Sequence, residues 1–100
     1  MRFSDKPIRW ESGHAFISVE HDGKIVDTLE VPIRAVHVLA RIGLLRTFNG
    51  ALWNLLFAYV HRHRDAWDSD ALGYVGLTST LRRLLQSYYN YRRKNPDDWD

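Results

Sequence analysis

The residues best suited to chemistry in this chain are basic and aromatic, and they cluster towards its C-terminal end. No acidic residue occurs between Asp70 and Asp97, whereas this stretch holds five arginine and lysine residues together with Tyr89. Cations interleaved with an aromatic ring can neutralise phosphates while the ring stacks on a base. The residues of this segment that we predict to contact a partner are Arg82, Arg83, Gln86, Tyr89, Arg92, Arg93 and Lys94.

The same charges also have a structural explanation. Arg92, Arg93 and Lys94 fall in the last turn of a predicted helix, where cations interact favourably with the helix dipole. Arg82 and Arg83 can simply solvate an exposed face. The net charge is only +2, so the overall charge favours no class of partner. Binding of DNA or RNA is therefore the alternative interpretation of this helix, and a protein contact is the leading one.

A second candidate is the run His61-Arg62-His63-Arg64-Asp65. His-x-His-x-Asp resembles the metal motif of metallo-β-lactamase-type hydrolases, but Ala66 stands where that family has another histidine. The chain is also far too short for that fold. On a helix the two histidines would point about 200° apart and could not share a metal. We keep a metal-dependent hydrolase as a remote alternative and predict no metal site.

Other catalytic chemistry finds no support in the sequence. There is no cysteine and no Gly-x-Ser-x-Gly motif, and the segment Gly73-Tyr74-Val75-Gly76 is too short to be a phosphate-binding loop. We therefore expect a non-enzymatic protein without a cofactor. The absence of cysteine fits a reducing compartment. The longest charge-free apolar stretch, residues 47–60, is too short to span a bilayer, so we expect a cytoplasmic protein with no membrane partner.

Tryptophans outside the apolar stripes are a third feature. Trp67 and Trp99 lie in segments that we predict to be loop or tail. Tryptophan, tyrosine and arginine dominate the energetics of protein interfaces, so we predict both as partner contacts. The alternative is that such rings seal the edges of a small core. Several of them on one small domain also make a homodimer an alternative.

The elements that must position these residues form one α+β domain over residues 1–100. The sequence pattern of residues 14–31 predicts an antiparallel β-hairpin with its turn at His21-Asp22-Gly23-Lys24. A short strand is predicted before it, near residues 8–11. Two registers are possible, and a two-residue turn that pairs His21 with Lys24 would mix polar and apolar residues on both faces. We prefer the register that places Glu20 opposite Lys24, with Gly23 in a left-handed bulge position. This register gathers one apolar face, on which Asp27 is a misfit that could sit at an edge or bind something. The face comprises Ala15, Ile17, Val19, Ile25, Leu29 and Val31.

About three helices follow the hairpin. Residues 33–45 show helical spacing, although a strand is a real alternative there. Residues 50–63 predict the most apolar helix, with Thr47 or Asn49 as its cap. Residues 64–77 predict a connection with a helical turn near residues 69–73. Thr78 or Ser79 is predicted to cap the last helix, which Pro96 must end.

These patterns lead to one functional hypothesis. We expect a small protein-binding module that acts as an adaptor, subunit or inhibitor of a larger protein or ribonucleoprotein. Its size and lack of catalytic motifs are typical of phage and mobile-element proteins that block host machinery.

Overall fold

The computed structural model describes residues 1–42 and 51–97 and confirms the predicted α+β architecture. Within these residues, four strands are followed by four helices, with a short 3-10 turn before the third helix. No helix in the described ranges is long and apolar enough to cross a membrane. The elements are β1 (Arg2–Phe3), β2 (Arg9–Glu11), β3 (His14–His21), β4 (Lys24–Pro32), α1 (Ile33–Ile42), α2 (Ala51–Arg62), the 3-10 turn (Arg64–Ala66), α3 (Ser69–Leu72) and α4 (Tyr74–Lys94).

Strand β3 is the centre of the sheet, because every other strand pairs with it in antiparallel fashion. Strands β1 and β2 share one edge of β3, where Arg2 lies opposite Glu20 and Arg9 lies opposite Phe16. Strand β4 takes the other edge along its whole length. The predicted strand near residues 8–11 is therefore confirmed as β2, and β1 adds a short strand that the sequence pattern did not indicate.

The predicted hairpin register is wrong along the whole hairpin, by one residue at the turn and by two beyond the irregularity in β4. His21, not Glu20, lies opposite Lys24, and Asp22 and Gly23 form a two-residue turn with φ values of 52° and 78°. Two left-handed residues are what the tight turn favoured by Asp-Gly requires. The irregularity falls instead within β4, where Glu20 lies opposite Ile25 and Val19 opposite Asp27.

This irregularity leaves Val26 as the extra residue of a bulge and restores the predicted apolar face farther along the hairpin. Ala15, Ile17, Val19 and Val31 are buried as expected, whereas Ile25 is 41% exposed and lies outside the core. The preferred register would set His14 opposite Glu30, whereas His14 lies opposite Pro32 and is therefore diagonal to Glu30. His14 Nε2 still lies 3.6 Å from Glu30 Oε1.

The helices cover the buried face of the sheet. The segment 33–45, for which both helix and strand were predicted, is helical over residues 33–42, which form α1. Positions 43–45 lie outside the described residues, as do the caps predicted at Thr47 and Asn49. The apolar helix predicted over 50–63 is α2. Each helix contributes residues at helical spacing to one core: Val36 and Leu39 from α1, Leu52, Leu56 and Val60 from α2, and Leu77, Leu81, Leu84 and Tyr88 from α4.

The predicted start of the last helix is wrong. Helix α4 begins at Tyr74, so Thr78 and Ser79 lie inside it rather than capping it. Helix α3 packs directly against its first turn. A Cβ atom at Gly76 would lie 2.1 Å from the Asp70 carbonyl oxygen and 2.7 Å from Ala71 Cα, so only glycine allows this contact. The predicted end is confirmed, since α4 stops at Lys94, two residues before Pro96.

Replacing Gly76 with alanine tests this close approach. We expect Gly76→Ala to lower the free energy of unfolding by about 2 kcal/mol or more, because backbone atoms must move to admit the methyl group. Gly73→Ala is the matched control, since its Cβ would lie 3.5 Å from the Ser69 carbonyl oxygen, an ordinary contact. Urea unfolding followed by circular dichroism measures both. Equal midpoints for the two variants would contradict the packing of α3 on α4.

Candidate functional site

Helix α4 divides its side chains between the core and solvent. Tyr88 is 1% exposed and lies with the leucines, whereas Tyr89 is 43% exposed and lies among charged and amide side chains. Helical spacing therefore separates the two adjacent tyrosines. We call the exposed side of the helix the cationic face. It comprises Arg82, Gln86, Tyr89, Asn90, Arg93 and Lys94, all of which are exposed.

A shallow groove lies at the C-terminal end of the cationic face. Tyr89, Arg92, Arg93 and Pro96 line it, and its volume is about 450 Å³. Pro96 was expected only to stop the helix. Because the chain leaves the helix after Lys94, the pyrrolidine ring instead forms part of the groove wall. No sequence pattern indicated this second role.

Tyr88 braces two of the groove residues from below. The Arg92 guanidinium carbon lies 5.9 Å from the centre of the Tyr88 ring, and the Tyr89 ring centre lies 5.7 Å from it. The Tyr88 hydroxyl lies 2.7 Å from His37 Nδ1 on α1. Burial raises the pKa of Tyr88, so this hydroxyl stays protonated. The groove therefore rests on a core residue that is itself fixed by a hydrogen bond to another helix.

Asn90 connects the remaining residues of the cationic face. Its Oδ1 atom accepts hydrogen bonds from Gln86 Nε2 at 3.4 Å and from Arg93 Nη2 at 3.3 Å. Both bonds are long and exposed, so each contributes little stability. They do align the Gln86 amide and the Arg93 guanidinium along the helix, which leaves the other guanidinium nitrogens of Arg93 available for a ligand.

Arg83 does not belong to the cationic face. Its Nη2 atom donates to the Lys6 carbonyl oxygen at 3.0 Å, so this side chain ties α4 to the segment between β1 and β2. It lines a separate cavity of about 150 Å³ with Arg2, Asp5 and Asp70. Arg83 was predicted as one of the partner contacts, but the tertiary structure turns it towards the sheet.

Trp67 is a core residue, which corrects its predicted place on the surface. It is 6% exposed, with its ring centre 4.8 Å from that of Phe3 and 5.8 Å from that of Tyr59. The 3-10 turn just before it lies beside β1, where Asp68 N donates to the Met1 carbonyl oxygen at 3.0 Å. This contact positions the Trp67 ring in the core. Trp99, the other predicted tryptophan, lies outside the described residues.

The outer face of the sheet provides an electrostatic contrast. Its cations sit beside carboxylates, with Arg2 Nε 2.9 Å from Glu20 Oε1 and Arg9 Nε 3.4 Å from Glu11 Oε2. The hydrogen bond and charge of Glu20 hold the pKa of Arg2 above its ordinary value. By contrast, within residues 1–42 and 51–97 Arg93 and Lys94 form no ion pair. The charges of Arg93 and Lys94 are thus not neutralised by the acids among the described residues.

The histidines of the candidate metal motif contact aromatic rings. His61 lies against Phe57 with ring centres 4.4 Å apart, and His63 lies against Tyr59 at 5.3 Å. Over the described part of the chain, no three histidine, aspartate or glutamate residues are placed to hold a metal ion. The metal-dependent alternative therefore gains no geometric support from these side chains.

Asp27 illustrates a structural role that sequence reasoning left open. Its carboxylate accepts hydrogen bonds from the Tyr59 hydroxyl and from Thr28 N, the latter at 2.7 Å. These bonds lower the pKa of Asp27, that from Tyr59 having the larger effect. Burial and then the Asp27 carboxylate raise the pKa of Tyr59. The apparent misfit on the apolar face is therefore a link between β4 and α2.

Comparison of the chain with protein-family models, with curated proteins and with solved structures gives no match.

The link between Asp27 and Tyr59 predicts a pH dependence. Because folding lowers the pKa of Asp27, its contribution to stability is present above the unfolded pKa, roughly 3.9, and is lost as pH falls through the lower folded pKa. We expect Tyr59→Phe to cost about 1 kcal/mol at pH 7. The cost should shrink towards pH 2, as measured by urea unfolding.

Tyr89→Phe is the matched control, because it removes a hydroxyl from an exposed tyrosine. Its effect on the free energy of unfolding should be small at every pH. A cost for Tyr59→Phe that stays constant from pH 7 to pH 2 would contradict a role for the ionised Asp27 carboxylate.

Proposed function

We propose that the protein is a non-enzymatic binding module that docks the cationic face of α4 onto a larger protein, as an adaptor, subunit or inhibitor. The observation that carries this proposal is the exposed Tyr89 ring beside Arg92, which packs on the core residue Tyr88, and Arg93, which forms no ion pair within residues 1–42 and 51–97. Tyrosine and arginine in such settings are the residue types that contribute most to protein binding.

The rigidity of this surface also supports a docking role. Association costs free energy whenever side chains must be ordered at the interface. Here Tyr89 and Arg92 already pack on Tyr88. A partner would therefore have fewer side chains to order on binding. We place this activity in the cytosol, a proposal supported by the lack of cysteine.

Site-specific photo-cross-linking tests the proposal. A photoreactive phenylalanine analogue at Gln86 sits within the cationic face and leaves Tyr89 and Arg93 intact, whereas the same analogue at Thr28 sits on the exposed outer side of β4. In cells that make the protein, we expect one defined cross-linked protein from position 86 and none from position 28.

Adding Arg93→Ala to the position 86 variant should abolish that product, because the arginine supplies a charge that the partner needs. Cross-links of equal yield from positions 86 and 28, or products that persist without Arg93, would overturn the placement of the docking surface on α4.

The exposure of Tyr89 between cations favours nucleic-acid binding as the second candidate function. Arg82, Arg92, Arg93 and Lys94 could contact about four phosphates, which for a single strand implies an affinity loss of about 50-fold between about 50 and 200 mM salt. We expect only this weak, sequence-independent binding in fluorescence anisotropy. Tight binding near 150 mM salt that Tyr89→Ala abolishes would make nucleic acid the primary partner.

A further inference from the structure

We infer that the groove between Tyr89 and Pro96 recognises an acidic linear segment of the partner protein, with carboxylates on Arg92 and Arg93 and an apolar side chain between the two rings. This inference rests on the proposed function and specifies the chemistry of its ligand. Four features of the groove support it: its open shape, its charge, its rigid base and the amides beside it.

The shape of the groove excludes a free small molecule as its natural occupant. Pockets for such ligands bury most of the ligand surface. This groove is a shallow depression of about 450 Å³ lined by three exposed residues and the half-buried Arg92. A ligand held here must gain further contacts outside the groove, which a segment of a larger chain does and a metabolite does not.

The charge of the groove selects an anionic segment. Two adjacent guanidinium groups line it, and each can form paired hydrogen bonds to a carboxylate. No acidic residue occurs between positions 71 and 96, and Asp97 follows the groove at the helix end. Phosphates would match the same fork geometry. However, the short array of cations on one helix suits a few carboxylates better than the long backbone of a nucleic acid.

The apolar part of the groove and its neighbours complete the match to a peptide. The Tyr89 ring and Pro96 offer apolar surface between the charges. Next to them, the carboxamides of Gln86 and Asn90 carry donors and acceptors that suit peptide groups. An acidic segment with one aromatic residue would use all three kinds of contact at once.

Peptide binding to the full chain tests the inference. The probes are a capped peptide of aspartate and glutamate around one tryptophan, its asparagine and glutamine counterpart, and an oligothymidylate of similar length. We expect the acidic peptide to bind and to shift the amide resonances of Tyr89 and Arg93. The uncharged peptide should bind at least tenfold more weakly, because charge-assisted hydrogen bonds are lost.

Two variants distinguish binding in the groove from a general attraction between the peptide and the positive charges of the protein. Arg93→Gln should weaken the acidic peptide about tenfold, whereas Lys24→Gln removes the same charge from the exposed hairpin end and should leave binding unchanged. Equal affinity for the charged and uncharged peptides, or equal effects of the two variants, would overturn the inference. Preference for the oligothymidylate would also overturn it.

Failure of this inference is distinguishable from failure of the proposed function. If the acidic peptide does not bind but position 86 still cross-links one protein, the docking surface stands and the acidic ligand is wrong. If neither result is obtained, both proposals are wrong.

Discussion

The burial of Tyr88 is the constraint on which the arrangement of this molecule depends. A tyrosine with 1% exposure must find a partner for its hydroxyl, and His37 on α1 supplies it. That bond fixes α1 against α4. The same ring then contacts Trp10 of β2, with ring centres 6.2 Å apart, and supports Arg92 on its other side. One core side chain therefore links the sheet, two helices and the candidate surface.

The sheet side of this arrangement depends on Trp10. Its indole Nε1 atom donates to Ser87 Oγ at 2.7 Å, and its ring stacks on Tyr91 at 4.8 Å. Both partners lie on α4, within four residues of Tyr88. The half-buried flank of α4 is thus occupied by the sheet, which leaves only the opposite flank for a ligand. This partition explains why Tyr91 and Tyr89, two residues apart, differ so much in their surroundings.

Local sequence patterns predicted the structure correctly wherever it depends on a single helix or strand. The 3.6-residue repeat separated Tyr88 from Tyr89, and Pro96 marked the end of α4, because both effects arise within a single helix. Local sequence patterns were insufficient where the structure depends on the contact between two elements. The start of α4 depends on how closely α3 approaches Gly76, and Trp67 is buried because its turn lies beside β1. Likewise, the position of Asp27 on the apolar face is explained only by its hydrogen bond from Tyr59 of α2.

The dimensions of the cationic face limit how it can bind. A standard protein interface takes roughly 800 Å² from each partner, about one-eighth of the 6497 Å² that this protein exposes. Six side chains on one helix supply only part of that area. Binding must therefore rely either on a few side chains held in place before the encounter or on additional surface. Because Tyr88 already supports Tyr89 and Arg92, the proposed docking would take the first route: a small contact with a short segment, in which preorganisation compensates for area.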